Sequence, residues 1–211
     1  MKNWILRSFT FFVLFSFIGL SNFATAQDTK PEQELTEKEK KKLARKKAKE
    51  ERKKAKELAK QQAQAEEKAR FEMAKAGMLS QQFVLQANQV YDRYGNTAQV
   101  TNNINFVKLD DDKCVVQLGF EGIVGYNGVG GITLDGKISD LKVEENDNGS
   151  IMMSFNVQGA MMQAAVRINL NGADNWADAT VRSQTENIEI RFRGNILPTN
   201  LSSVYQGATP Y

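Results

Sequence analysis

From Phe83 to Phe192 the apolar side chains recur at every second position, and a period of two excludes helical packing for that part of the chain. Phe83, Leu85 and Ala87 alternate with Val84, Gln86 and Asn88. Ile151, Met153, Phe155 and Val157 are all odd, whereas Met162, Ala164, Val166, Ile168 and Leu170 are all even. Successive side chains of a strand point to opposite faces, so each run is one strand with a single apolar face. Polar turns separate the runs, among them Asp110-Asp111-Asp112 between residues 104–109 and 113–120. The pattern predicts a mainly β domain over residues 77–211: about eight antiparallel strands in a sandwich or a partly open barrel. Which face of 104–109 is inward stays open, because Ile104 and Phe106 compete with Val107 and Leu109.

The parity of the runs restricts their register. A two-residue turn at Gly159-Ala160 sets Val157 opposite Met162 and Phe155 opposite Ala164, leaving one face wholly apolar. Leu141 and Val143 are odd like Ile151 and Met153, which rules out the tightest turn at Asp147-Asn148 and predicts a four- or five-residue loop around 146–149. The last hairpin sets Ala177, Ala179 and Val181 opposite Phe192, Ile190 and Ile188. Outside, it places Asp178 opposite Arg191 and Trp176 opposite Arg193, an ion pair and a cation-π contact.

Upstream the composition changes. Residues 27–76 carry 17 Lys/Arg against 11 Asp/Glu, with one proline and no glycine. Lys, Glu, Ala and Gln are good helix formers; Thr36 and Glu39 have capping-box spacing, and Gly77 is placed to close the helix in a left-handed conformation. Leucine appears in this arm only at 35, 43 and 58, too sparsely for a firm coiled-coil seam. A solvated charged stalk is expected; a weak coiled coil, which would be the route to an oligomer, and a polyanion-binding arm are the alternatives. Residues 1–26 have the form of an export signal: Lys2 and Arg7, an apolar run from Phe9 to Leu20, then Ala24-Thr25-Ala26 as a cleavage site. The run is shorter than the roughly 20 residues that span a bilayer. Cleavage after Ala26 would leave Gln27 first, where a lipoprotein would need cysteine. A periplasmic or secreted protein with no transmembrane segment in its mature form is therefore expected.

Charge and residue types narrow the chemistry. Residues 77–211 carry 9 Lys/Arg against 14 Asp/Glu, so the globular part is acidic, unlike a nucleic-acid-binding domain. The chain has no histidine, the commonest general base and metal ligand. Its one cysteine, Cys114, shares a strand face with Val116 and Leu118 and is expected to be buried and structural. A calcium loop at 144–149 fails because its twelfth position is Phe155 rather than a bidentate glutamate. Asp110 to Asp112 reads as a solvated turn. No catalytic residue, cofactor site or metal site is expected.

Residues 119–136, GFEGIVGYNGVGGITLDG, hold seven glycines between two strands. A phosphate-binding loop would need a lysine and a following helix, and a strand follows here. The stretch reads as a bent connection at a barrel corner, or else as a ligand-approach surface with Phe120 and Tyr126 as platforms and Glu121 and Asn127 as polar contacts. Trp176, Arg191 and Arg193 on the outer face of the last hairpin form a second candidate surface.

The segments GVGGITLDGKISDLKVEENDNGSIMMSFNVQG, NLNG at 169–172 and IEIRFRGNILP resemble the secreted bacterial family named for domain of unknown function 4251. The resemblance covers roughly residues 75–198 and is carried by Phe83, Gly130-Gly131-Ile132, Gly136, Asn171-Gly172 and Gly194. It departs at Val116-Gln117-Leu118, where the family commonly has a Leu-Pro-Tyr-like segment. It implies an export signal, a Lys/Glu/Ala-rich arm and a compact β domain, and brings no activity with it. The function expected is a non-enzymatic module that binds an envelope protein, a glycan or an envelope surface. The alternatives are a barrel that holds a small apolar ligand, lined by Met153 and Met162, and a hydrolase using Glu121 with Asp135 or Asp140.

Overall fold

A computed structural model describes residues 36–122, 125, 127–160 and 162–209. The expected export signal, the start of the arm, Tyr126 and Met161 lie outside these residues. Two units are distinguished, Met1–Glu50 and Glu51–Tyr211. In the first, the described residues 36–50 are exposed throughout and begin helix α1 (Glu37–Leu79). The Glu39 carboxylate returns to the Thr36 backbone N–H at 3.1 Å and to its hydroxyl at 2.9 Å, half of the expected capping box.

The second unit contains the rest of α1 and nine strands: β1 (Gln82–Asp92), β2 (Thr97–Gln99), β3 (Phe106–Asp110), β4 (Lys113–Leu118), β5 (Ile132–Glu145), β6 (Ile151–Gly159), β7 (Gln163–Leu170), β8 (Trp176–Ser183) and β9 (Glu189–Pro198). They run up and down in the order β2-β1-β3-β4-β5-β6-β7-β8-β9, and β1 also pairs with β9. The alternation of apolar residues thus closes into an eight-stranded antiparallel barrel, with β2 pairing Gln89–Tyr91 of β1 on the edge whose first half pairs with β3. Closure removes the strand edges that an open sheet would have to protect.

The hairpins keep the expected faces, but two of them pair one step further along. Val157 lies opposite Ala164 and Phe155 opposite Val166, because Gly159 donates its N–H to the Met162 carbonyl and the loop takes four residues instead of two. Ala179 lies opposite Phe192 and Val181 opposite Ile190; there Ser183 N–H reaches the Ile188 carbonyl and the Ser183 hydroxyl accepts from Thr185 and Glu186 N–H. A shift of two preserves side-chain parity, so packing alone does not distinguish the two registers. Asp178 consequently faces Arg193 rather than Arg191, and Trp176 faces Asn195 rather than Arg193. The β5–β6 loop has the predicted length, with Glu145 opposite Ile151. Further along, a bulge between Ser139 and Lys142, where Asp140 has φ of 54°, bends β5 and shifts its register.

The barrel interior is solid. Phe83, Leu85, Val107, Leu109, Ile151, Met153, Ile168, Leu170, Phe192 and Ile196 are at most 1% exposed. Val107 and Leu109 take the inner face. Phe106 packs outside with Val84 and Val115 in a second cluster covered by Val204. That choice depends on a distant segment: the chain after Leu201 returns along this wall, with Tyr205 N–H on the Asn103 carbonyl and Gly207 N–H on Gln117 Oε1 at 2.7 Å.

The C-terminal turns of α1 belong to the same core. Ala74 and Met78 are fully buried, Phe71 packs against the core, and Lys75 pairs with Glu145. Gly77 does not close the helix; it lies inside it, where a Cβ would come 3.3 Å from the Gln82 carbonyl oxygen, and Gln81 takes the left-handed conformation with φ of 61°. Cys114 is fully buried beside Val116, and burial, reinforced by the charge of Asp135, pushes its thiol pKa far up. Alkylation in native buffer should therefore leave Cys114 unlabelled and go to completion only in denaturant; rapid labelling of the folded chain would contradict the buried placement.

Candidate functional site

Trp176 opens β8 and is 44% exposed, the largest side chain on the outer wall of the last strands. Its backbone is held from several directions. The Asp174 carboxylate accepts its N–H at 3.0 Å, and its carbonyl accepts the Asn171 N–H at 2.9 Å. Next to it Asn175, 7% exposed, clamps β9 by donating to the Ile196 carbonyl at 2.8 Å and accepting the Ile196 N–H at 3.0 Å. Such side-chain-to-backbone bonds are the usual way Asn and Asp fix a turn.

A recess of about 630 Å³ lies beside the indole, bounded by Gln89, Asn148, Ser150, Asn169, Asn171, Asp174, Asp178 and Arg193. Trp176 also borders a second recess, of about 380 Å³, whose other wall is Ala63, Glu66, Glu67 and Arg70 of α1. The floor of the first is ordered by charge. Arg193 meets Asp178 through two bonds of 2.7 and 3.1 Å, and its guanidinium carbon lies 5.6 Å from the centroid of the Tyr91 ring. The Tyr91 hydroxyl donates to Gln89 at 2.6 Å. This half-exposed pair contributes little stability, at most about 1 kcal/mol, but it fixes where its polar atoms point.

Farther along the same wall is a groove of about 560 Å³ that includes Asp140, Lys142, Asn156, Arg167, Arg182, Glu189 and Arg191. Glu189 accepts from Arg182 at 2.7 Å and from Arg191 at 2.8 Å, and these two guanidinium groups hold its carboxyl below the usual range. The four cations against two carboxylates make this groove positive.

The expected site residues do not assemble as one surface. Trp176 and Arg193 share the first recess, while Arg191 lies in the neighbouring groove. Asn127 is 2% exposed: its side-chain oxygen accepts Val129 and Gly131 N–H, and its amide donates to Thr133. It shapes the glycine-rich connection and is not available to a ligand. Phe120 and Glu121 are exposed, with Glu121 accepting the Thr101 hydroxyl at 2.5 Å. Glu121, Asp135 and Asp140 do not converge: their partners are Thr101, Gln206 and Asn156 respectively, and all three carboxylates are exposed. The apolar recess lined by Leu118, Leu134, Met162 and Ile190 amounts to about 40 Å³, less than an apolar ligand needs. Among the described residues no group of three or more His, Cys, Asp or Glu is placed to hold a metal ion.

Sequence reasoning missed Asn148, Asn169, Asn171 and Asp174. Asn148 and Asn171 read as loop or turn residues and Asn169 as part of a strand; the signal that could have found them is the density of Asn and Asp just upstream of Trp176.

The fold defines a small closed up-and-down barrel whose described interior is packed with apolar side chains. The model of DUF4251, a domain of unknown function, matches residues 64–196, and the chain belongs to that family. The matched span takes in the part of α1 that carries Phe71, Ala74 and Met78. The crystal structure of a DUF4251 family protein from Bacteroides eggerthii is similar, at 38% identity and a TM-score of 0.58, over 66% of this chain and 94% of that one. No curated protein matches.

Proposed function

We propose that this protein is an exported, non-enzymatic binding module, held on a charged helical arm, that engages an envelope component through the wall around Trp176. The observation that carries the reading is the exposed indole, whose backbone is anchored by Asp174 and Asn171, in a recess of about 630 Å³ bounded by polar side chains. A concave site with a few convergent polar groups is the usual form of a binding site. A solid lumen and separated carboxylates favour an external contact over an internal ligand or acid–base chemistry. Export rests on the pattern of residues 1–26. Capture from an envelope extract tests the reading. The full chain should retain a component that Trp176→Ala loses by at least about tenfold, the scale of a central aromatic contact. Retention unchanged by Trp176→Ala, or none at all, would overturn it.

A further inference from the structure

We infer that the recess beside Trp176 is a subsite for a neutral oligosaccharide, one ring of which stacks on the indole; this rests on the binding reading above. The face of an aromatic ring is electron-rich, and the C–H bonds on one side of a pyranose ring are weakly positive, so the two stack without any charge. Next to the indole, Asn169 and Asn171 line the recess with side chains that have no hydrogen-bond partner among the described residues. Asp174 uses one carboxylate oxygen on the Trp176 N–H and has the other to offer. A carboxamide donates and accepts at once, which is what a pair of neighbouring sugar hydroxyls requires.

Charge and composition discriminate among partners. Asp174 and Asp178 against Arg193 leave this recess negative, which disfavours an acidic saccharide or a nucleic acid at the stacking position. A protein partner would require a dry apolar centre, and Trp176 is the one large apolar side chain bordering the recess. From Trp176 to Arg182 the outward residues of β8 span about 20 Å at the rise of a strand, enough for several sugar units. Backbone hydrogen bonds at Asn171, Asp174 and Asn175 hold the main chain of the site in place, so the ordering cost on binding is confined to side chains.

The chain contains two tryptophans, Trp4 and Trp176, so a chain carrying Trp4→Phe reports on this site alone through its fluorescence. It should be titrated with neutral tetrasaccharides built from glucose, mannose, galactose and N-acetylglucosamine. At least one should give a saturable change with Kd between about 10 µM and 1 mM. Joint replacement Asn169→Ala and Asn171→Ala should weaken it about tenfold, the scale of two lost hydrogen bonds, without lowering the melting temperature. Calorimetry should show the same sugar lost by Trp176→Ala and kept by Phe120→Ala. No saturable change with any of the four up to about 10 mM, or affinity indifferent to the asparagine pair, would overturn the inference. If Trp176-dependent capture from envelope extract persists without sugar binding, the oligosaccharide falls and the binding surface stands; if both fail, both readings fall.

Discussion

Gly194→Ala should lower the melting temperature by at least about 10 °C, roughly 3 kcal/mol for a domain of this size. Gly194 lies in β9 opposite Ala87 of β1 and Ala177 of β8. A Cβ there would sit 1.8 Å from the Gln86 carbonyl oxygen and 2.7 Å from its carbon. Both atoms are backbone, so no rotamer change relieves the contact; β1 and β9 have to separate. That seam is the one that closes the barrel, and it already carries a register shift between Ala87 and Gln89. Gly95→Ala is the control. Gly95 has φ of 87° with nothing within 4 Å of the added Cβ, so its cost is conformational only, about 1 kcal/mol. Gly194→Ala melting within about 3 °C of the parent would show that the seam tolerates the methyl group and that closure is looser than described.

The second large effect concerns the helix. A chain that begins at Glu51 should melt within about 2 °C of the full chain, because residues 36–70 are exposed throughout. A chain that begins at Gly77 should melt at least about 12 °C lower. The second truncation removes Ala74 and Phe71 from the core and the Lys75 pair with Glu145. It also leaves Met78, fully buried, on a three-residue remnant. So short a helix has no nucleus, and losing a buried methionine contact costs about 2 to 5 kcal/mol. Melting of the two chains followed by circular dichroism decides the matter; equal midpoints would mean that Met78 holds its place without the helix.

Both predictions turn on residues whose importance was visible only in part beforehand. Gly194 stood out within the family resemblance, but nothing in its neighbourhood of alternating residues announced that it faces a carbonyl across the closing seam. Ala74 read as the end of a charged helix, and Met78 as lying just past it. The expected boundary at Gly77 followed the change of period, whereas the core reaches back to Phe71. Periodicity marks where one kind of element gives way to another, and it does not register a helix end whose few apolar residues are buried by a separate element.

The candidate site was legible to a similar degree. Trp176 and Arg193 were found on an outer face because parity survives an error of one pair in the hairpin. Their partners were misassigned because loop length, set by the hydrogen bond between Ser183 and Ile188, is independent of parity. Asn127 shows the opposite case: a polar residue in a glycine-rich stretch that looked available is buried by contacts with Val129, Gly131 and Thr133.

By itself the sequence determined the β class, the number of barrel strands, the inner and outer faces of the downstream hairpins, the burial of Cys114 and the charged arm. Each follows from local alternation or composition, which the chain carries within ten residues or so. The tertiary structure alone decided that the sheet closes through β1 and β9, that Val107 and Leu109 turn inward while Phe106 is covered by the returning C-terminal segment, and that α1 completes the core. It also decided that Trp176 stands beside asparagines from two separate loops. Apart from the short Asn171–Trp176 turn, these depend on segments about 30 to more than 100 residues apart in sequence, whose meeting is fixed by burial of shared surface and by backbone hydrogen bonds that no local pattern encodes.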